Sequence, residues 1–182
     1  MPNIVIVTGS PSKISRLNGL TEYADNSLRS FGIQTEWIYA ADLPAEALVK
    51  AKFDDPQIIE ANQRVEQADA VIIASPVYKA AYTGVLKTYL DLLPQKGLLG
   101  KSVLPLFIGG SLAHYLTIDY ALKPVLASLG ARHILAGVYA VDSWVTRQEP
   151  GVFELTEELT ERLNESIHDL VRELGGRKVR AV

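Results

Sequence analysis

Three short segments carry the residue types that can grip a small polar ligand. The first is Thr8-Gly9-Ser10-Pro11-Ser12-Lys13-Ile14-Ser15-Arg16. Ser10, Ser12 and Ser15 offer hydroxyls, and the Arg16 guanidinium can clamp a phosphate with two parallel hydrogen bonds. A helix starting directly after them would add unpaired amides and a partial positive charge. Gly9 would let the backbone come close to a ligand. This set reads as a phosphate cradle, against the simpler reading of a capped helix start with solvated serines. The second segment runs from Ala74 through Ser75-Pro76-Val77-Tyr78-Lys79-Ala80-Ala81-Tyr82 to Gly84. Backbone amides at Val77 to Lys79 and the rings of Tyr78 and Tyr82 suit a flat ligand with a polar edge. The alternative is a surface turn with two tyrosines packed on a helix. The third is Gly109-Gly110-Ser111, then Leu112-Ala113-His114. The glycine pair permits close approach, Ser111 is placed to cap a helix, and His114 either reaches the ligand or bonds backbone.

Other chemistries are missing. No Gly-Lys-Ser/Thr completes a phosphate loop of the Walker type, and no G-x-G-x-x-G occurs. His114, His133 and His168 have no metal-ligand spacing, and no G-x-S-x-G elbow supplies a nucleophile. No catalytic side chain and no metal ligand is therefore nominated. Asp142-Ser143 is a further candidate site edge, or simply a turn.

Alternating strands and helices must position these segments. Asn3 to Thr8 reads as a first strand, followed by a helix bearing Leu17, Leu20, Ala24, Leu28 and Phe31 at 3.6-residue spacing and closed by Gly32. Gln34 to Tyr39 is a second strand. Asp55-Pro56 starts a helix, with Asp as cap and Pro in the first turn. Ala70 to Ala74 is a third strand, ended by Pro76, which cannot donate to a ladder. Leu86, Tyr89, Leu90 and Leu93 mark the next helix. Val103 to Ile108 and Ile134 to Val141 are the fourth and fifth strands, with a helix from His114 to Leu129 between them. Leu155 to Leu174 forms the last helix, closed by Gly175-Gly176, and the tail Arg177-Lys178-Val179-Arg180 is expected to be frayed and solvated.

The strands are apolar runs, as in a parallel sheet buried on both faces. The expected fold is α/β, a flavodoxin-like three-layer α/β/α sandwich with a five-stranded parallel sheet in the order 2-1-3-4-5. In that order the three segments share the carboxyl edge of the sheet. A phosphate cradle, aromatic segment and glycine loop on one edge describe a site for FMN, whose ring is flat and polar-edged. Pro124 lies inside the fourth helical pattern, where it removes one hydrogen bond and clashes with the Tyr120 carbonyl. The helix should bend or bulge around Ile118 to Tyr120, by a π-bulge or an ordinary kink.

The 182 residues fit a single domain over 1–182, and 48% are hydrophobic, enough for a large core. A net charge of −3 makes nucleic acid a poor partner, and the absence of cysteine excludes thiolate chemistry. The segment from Ser102 to Ala113 is too short for a bilayer, which needs roughly 20 residues. Met1-Pro2-Asn3 lacks the basic region of a signal peptide. A cytoplasmic protein with no membrane contact is expected.

The sequence resembles the NAD(P)H-dependent FMN reductases of the flavodoxin-like superfamily, most closely the reductase component of two-component alkanesulfonate monooxygenases. The likeness rests on Gly9-Ser10-Pro11 with Ser15-Arg16, on Ser75 to Tyr82 with Gly84, on Gly109-Gly110 with His114, and on Asp119-Tyr120-Ala121-Leu122-Lys123-Pro124. It covers residues 1 to 145. The resemblance implies that Ser10, Ser12, Ser15 and Arg16 hold the FMN phosphate, that Pro76, Val77, Tyr78 and Lys79 line the ring, and that Gly109 and Gly110 approach its pyrimidine end, with Ser111 and His114 as further cofactor-binding candidates. It further implies a hydride passed from NADPH to FMN, and reduced FMN supplied to an FMNH2-dependent alkanesulfonate monooxygenase. Tyr120 would be inserted into a π-helix at a homotetramer interface; the similar methanesulfonate branch has histidine there. Rival readings are a quinone or azo-dye reductase with fixed FMN, a flavodoxin-like electron carrier, and an FMN-binding module without turnover.

Overall fold

The computed structural model describes residues 2–149 and 151–180, with residues 177–180 as backbone only. Strand β1 (Asn3–Thr8) is followed by α1 (Leu17–Ser30), β2 (Gln34–Tyr39), α2 (Ala45–Val49), α3 (Pro56–Gln67), β3 (Ala70–Tyr78), β4 (Ala81–Tyr82) and α4 (Gly84–Leu90). Then come β5 (Ser102–Gly109), α5 (Lys123–Ser128), β6 (His133–Ile134), β7 (Val138–Val141), β8 (Val145–Glu149), β9 (Val152–Leu155) and α6 (Glu157–Arg180).

Side chains of β1 alternate between two cores, as a strand's period of two requires. Ile4 and Ile6 join Leu17, Leu20 and Leu28 of α1 and Leu163 and Ile167 of α6 on one face. Val5 and Val7 join Ile58 of α3, Leu86 of α4 and Leu126 of α5 on the other. All are buried, and each contributes about 1.5–3 kcal/mol by leaving water. Covering both faces favours parallel pairing: β1 runs parallel to β2 and β3, with Ile4 opposite Ala70, and β3 runs parallel to β5, with Val71 opposite Val103.

Among the described residues the sheet has seven strands, not five. The path is β2-β1-β3-β5-β6, with β7 also on β5 and β4 on β3. Two prolines explain much of the difference. The Leu135 N–H donates to the Val103 carbonyl, so alternate residues of β5 face the fifth-strand position. Pro105 shares that side and has no N–H to give. There the expected strand breaks into β6 and β7, and Gly137 (φ +81°) turns out beside the Pro105 carbonyl. Pro76 does not end the third strand, contrary to expectation. The Gly9 N–H donates to the Ala74 carbonyl at 2.8 Å, so residues 74 and 76 face the β1 side. β1 has already ended at Thr8, so the missing donor of Pro76 costs the ladder nothing, and β3 runs on to Tyr78.

The helix after β5 is less regular than expected. A single 3-10 turn spans Leu112–His114 and a π-helix spans Ile118–Leu122, before α5. The Lys123 N–H bonds the Ile118 carbonyl five residues back, which resolves the Pro124 conflict by a bulge. Gly175 and Gly176 do not close the last helix: neither has positive φ, and α6 continues to Arg180. The tail backbone is thus helical to Arg180; the solvation of its side chains lies outside the described residues. No helix among the described residues is long and apolar enough to cross a membrane.

Candidate functional site

The carboxyl ends of β1, β3 and β5 are held together by buried hydroxyls. Thr83 caps α4: its Oγ1 accepts from the Leu86 N–H at 3.1 Å and donates to the Gly9 carbonyl at 2.6 Å. Ser75 Oγ accepts from the Thr83 N–H at 3.0 Å and donates to the Pro76 carbonyl at 2.8 Å. Gly9 is glycine because of this packing. A Cβ there would lie 2.5 Å from Leu86 Cβ and 2.9 Å from Thr83 Oγ1, so α4, not a ligand, claims the space.

The loop after β1 is laced by its own serines. Ser10 Oγ accepts from the Ser12 N–H and donates to the Ser12 carbonyl at 2.7 Å. Ser12 Oγ accepts from the Ile14 N–H and Ser15 Oγ from the Leu17 N–H, turns in which neither hydroxyl donates to another of the described residues. The first amides of α1 are not free, contrary to the sequence reading: Leu17 donates to Ser15 Oγ, Asn18 to the Ser15 carbonyl and Gly19 to the Arg16 carbonyl. Arg16 donates from Nε to the Val145 carbonyl at 3.1 Å, and its two terminal nitrogens make no hydrogen bond among the described residues. Anion binding here rests on hydroxyls and guanidinium, not on a helix terminus. Lys13 faces elsewhere, paired with Asp42 at 2.6 Å over the Tyr39 ring; the hydrogen bond to Asp42 raises its pKa.

β3 and β4 form a hairpin, with Val77 opposite Tyr82 and Tyr78 opposite Ala81. Its two turn residues, Lys79 and Ala80, both have left-handed φ, +51° and +61°. This is the turn that Asn-Gly makes easily; residues with a Cβ bear roughly 1–2 kcal/mol each. Tyr82 is half-buried against the core, and burial pushes its phenol pKa up.

At the end of β5, a Cβ on Gly109 would collide with the Tyr139 hydroxyl, which donates to the Ser111 carbonyl at 2.6 Å. Burial, and secondarily the Asp142 charge, raise the Tyr139 pKa. Gly110 is open; the nearest atom to a Cβ there is Asp142 Oδ2 at 4.0 Å. Ser111 Oγ accepts from the Ala113 N–H, and the His114 carbonyl accepts from Thr117 Oγ1.

These loops enclose a cleft of about 320 Å³ lined by Ser10, Ser12, Ile14, Ser15, Arg16, Pro76, Val77, Tyr78, Ile108, Gly109, Gly110, Asp142 and Arg147. Hydroxyl donors and a guanidinium stand at one end, and the flat surface of Pro76 to Tyr78 with open glycine backbone at the other. That donor set fits a phosphomonoester joined to a planar ring, as in FMN. Among the described residues no group of His, Asp and Glu could hold a metal ion.

The sequence profile of the family described as "NADPH-dependent FMN reductase" matches residues 2–146. The chain belongs to that family. It is accordingly an NAD(P)H:FMN oxidoreductase whose cofactors are FMN and NADPH. An FMN reductase (NADPH) of Pseudomonas putida is 47% identical over 146 residues, covering 80% of this chain and 74% of that protein. One of Escherichia coli is 47% identical over 142 residues, covering 78% and 74%. A solved NADH:FMN oxidoreductase, EMOB in its apo form, is 37% identical with a TM-score of 0.83, covering 93% of this chain and 88% of that one.

Of the residues that this family's resemblance nominated, Ser10, Ser12, Ser15, Arg16, Pro76, Val77, Tyr78, Gly109 and Gly110 meet in the cleft. Lys79, Ser111 and His114 do not line it. Lys79 sits at the hairpin tip, and Ser111 is turned into its own cap. His114 lines a separate depression with Ala80, Ala113, Leu116, Thr117, Tyr120 and Ala121. Ile14, Ile108 and Arg147 were missed, and Asp142 was seen only as an edge. The hairpin that carries Arg147 was legible, because Pro150-Gly151 between Val145-Thr146 and Val152-Phe153 marks it; where it docks was not.

Proposed function

We propose that this FMN reductase binds FMN with its phosphate at Ser12, Ser15 and Arg16, Ser10 holding the loop in shape, and its ring on Pro76, Val77, Tyr78 and the Gly110 backbone. When bound, FMN supplies the hydride-accepting ring and NADPH the hydride. The protein positions both and demands no acid or base side chain. The observation that carries this reading is the convergence of three sequence-distant loops on one cleft with unlike ends.

Reduced FMN then leaves for an FMNH2-dependent alkanesulfonate monooxygenase. Tyr78 at the cleft is 54% exposed, which suits a flavin that is exchanged rather than enclosed. The link to alkanesulfonates is supported by the resemblance around Asp119 to Pro124, whose bulge is present as a π-helix. Tyr120, 78% exposed on that bulge, suits a homotetramer contact. The test is NADPH oxidation with and without added free FMN. Turnover should require free flavin and should drive a partner monooxygenase; turnover indifferent to free FMN overturns the flavin-supply reading.

A further inference from the structure

The family profile ends at residue 146, and Arg147 is the next position. It lies on β8, in the antiparallel β8–β9 hairpin outside the main sheet. The hairpin is docked against α1 where Gly19 leaves room for Val145 and Phe153. Two bonds lace it to the phosphate loop: Arg147 Nη1 donates to the Ile14 carbonyl at 3.1 Å, and Arg16 Nε donates to the Val145 carbonyl at 3.1 Å. Each arginine spends one donor on the other's segment, and both line the same cleft with Ser12 and Ser15. Among the described residues the remaining donors of Arg147 make no hydrogen bond. The carboxylate of the cleft, Asp142, lies beside Gly110, its Oδ2 4.0 Å from where a Cβ there would stand.

We propose that Arg147 is a second guanidinium clamp for a phosphomonoester, closing on the 5′-phosphate of FMN from the hairpin side while Arg16 and the serines hold it from the loop side. This rests on FMN being the ligand of the cleft. A dianionic phosphate accepts several charge-assisted bonds at once, and paired guanidiniums present forked donors that a single lysine cannot. The lacing orients both forks before the ligand arrives.

The test compares dissociation constants for FMN and for riboflavin, which lacks the phosphate, in the wild type, Arg147→Gln and Arg147→Lys. Arg147 is exposed, so the fold should tolerate both changes. Arg147→Gln should weaken FMN about tenfold, equivalent to about 1.4 kcal/mol, with riboflavin unchanged within about twofold. Arg147→Lys should recover part of the loss. Equal weakening of both flavins would show a purely structural role through Ile14, and no change in either would show no contact; both overturn the proposal. Unchanged FMN affinity with a selective rise in the KM for NADPH over NADH would move the clamp to the nicotinamide cofactor's 2′-phosphate and likewise overturn it. A wild type that binds riboflavin as tightly as FMN would instead count against the FMN reading itself.

Discussion

Thr83 offers the sharpest test of how the cleft is built. It is buried, and its one hydroxyl serves both the Gly9 carbonyl and the Leu86 N–H. Thr83→Val keeps the branched shape and removes only the hydroxyl. A buried carbonyl left without a partner costs about 1–3 kcal/mol, and loss of a helix cap about 1 kcal/mol. The expected destabilisation is therefore about 2–4 kcal/mol, against about 0.5–1.5 kcal/mol for Thr83→Ser, which keeps the hydroxyl and loses a methyl. Urea unfolding at one fixed protein concentration reads the difference, with the m-value unchanged. Because Gly9 anchors the serine loop, FMN affinity should fall with Thr83→Val and hold with Thr83→Ser. A Thr83→Val protein within about 0.5 kcal/mol of wild type would refute the account of the staple.

Ala80→Gly relieves a left-handed residue in the hairpin turn and should raise stability by up to about 1 kcal/mol, once glycine's extra unfolded-state entropy is subtracted; thermal melts showing a loss would contradict it. Arg64, bonded to Glu36 at 2.9 Å, and then Asn3 hold the Glu36 carboxyl below its ordinary 4.5. A pKa lowered by folding gives stability that is complete above 4.5 and is lost as pH falls through the folded-state value. Glu36→Gln should lose a little stability at neutral pH and show a shallower acid limb in denaturation against pH; the pair is partly exposed, so the effect is small. Tyr120→Ala should retain FMN more tightly, change the oligomeric state by light scattering, or both. An unaltered oligomer with normal flavin supply would count against its interface role.

The sequence was legible where one residue had one local job. Asp55 caps α3 as its position demands, accepting from the Gln57 N–H at 2.9 Å, and Gly32 ends α1 with φ +72°. Pro124 announced the bulge because a missing donor inside a helix has few remedies. Legibility failed where tertiary neighbours decide. Pro76 reads as a strand terminator until one knows that its donor side faces a strand already ended. Gly9 reads as a ligand contact, yet Leu86 takes the space. His114 has a histidine's chemistry in the right loop, but it ends the 3-10 turn and lines a separate depression with Ala80 and Tyr120. Arg147 lies on a hairpin outside the main sheet, and no local pattern says that a distant β-turn will fold back over the serine loop.

A crystal structure of this chain with FMN tests the central claim most directly. The account predicts the phosphate within hydrogen-bonding distance of Ser12, Ser15 and Arg16, with the isoalloxazine against Pro76, Val77 and Tyr78. Flavin density in the depression of His114 and Tyr120, with the serine loop empty, would contradict it.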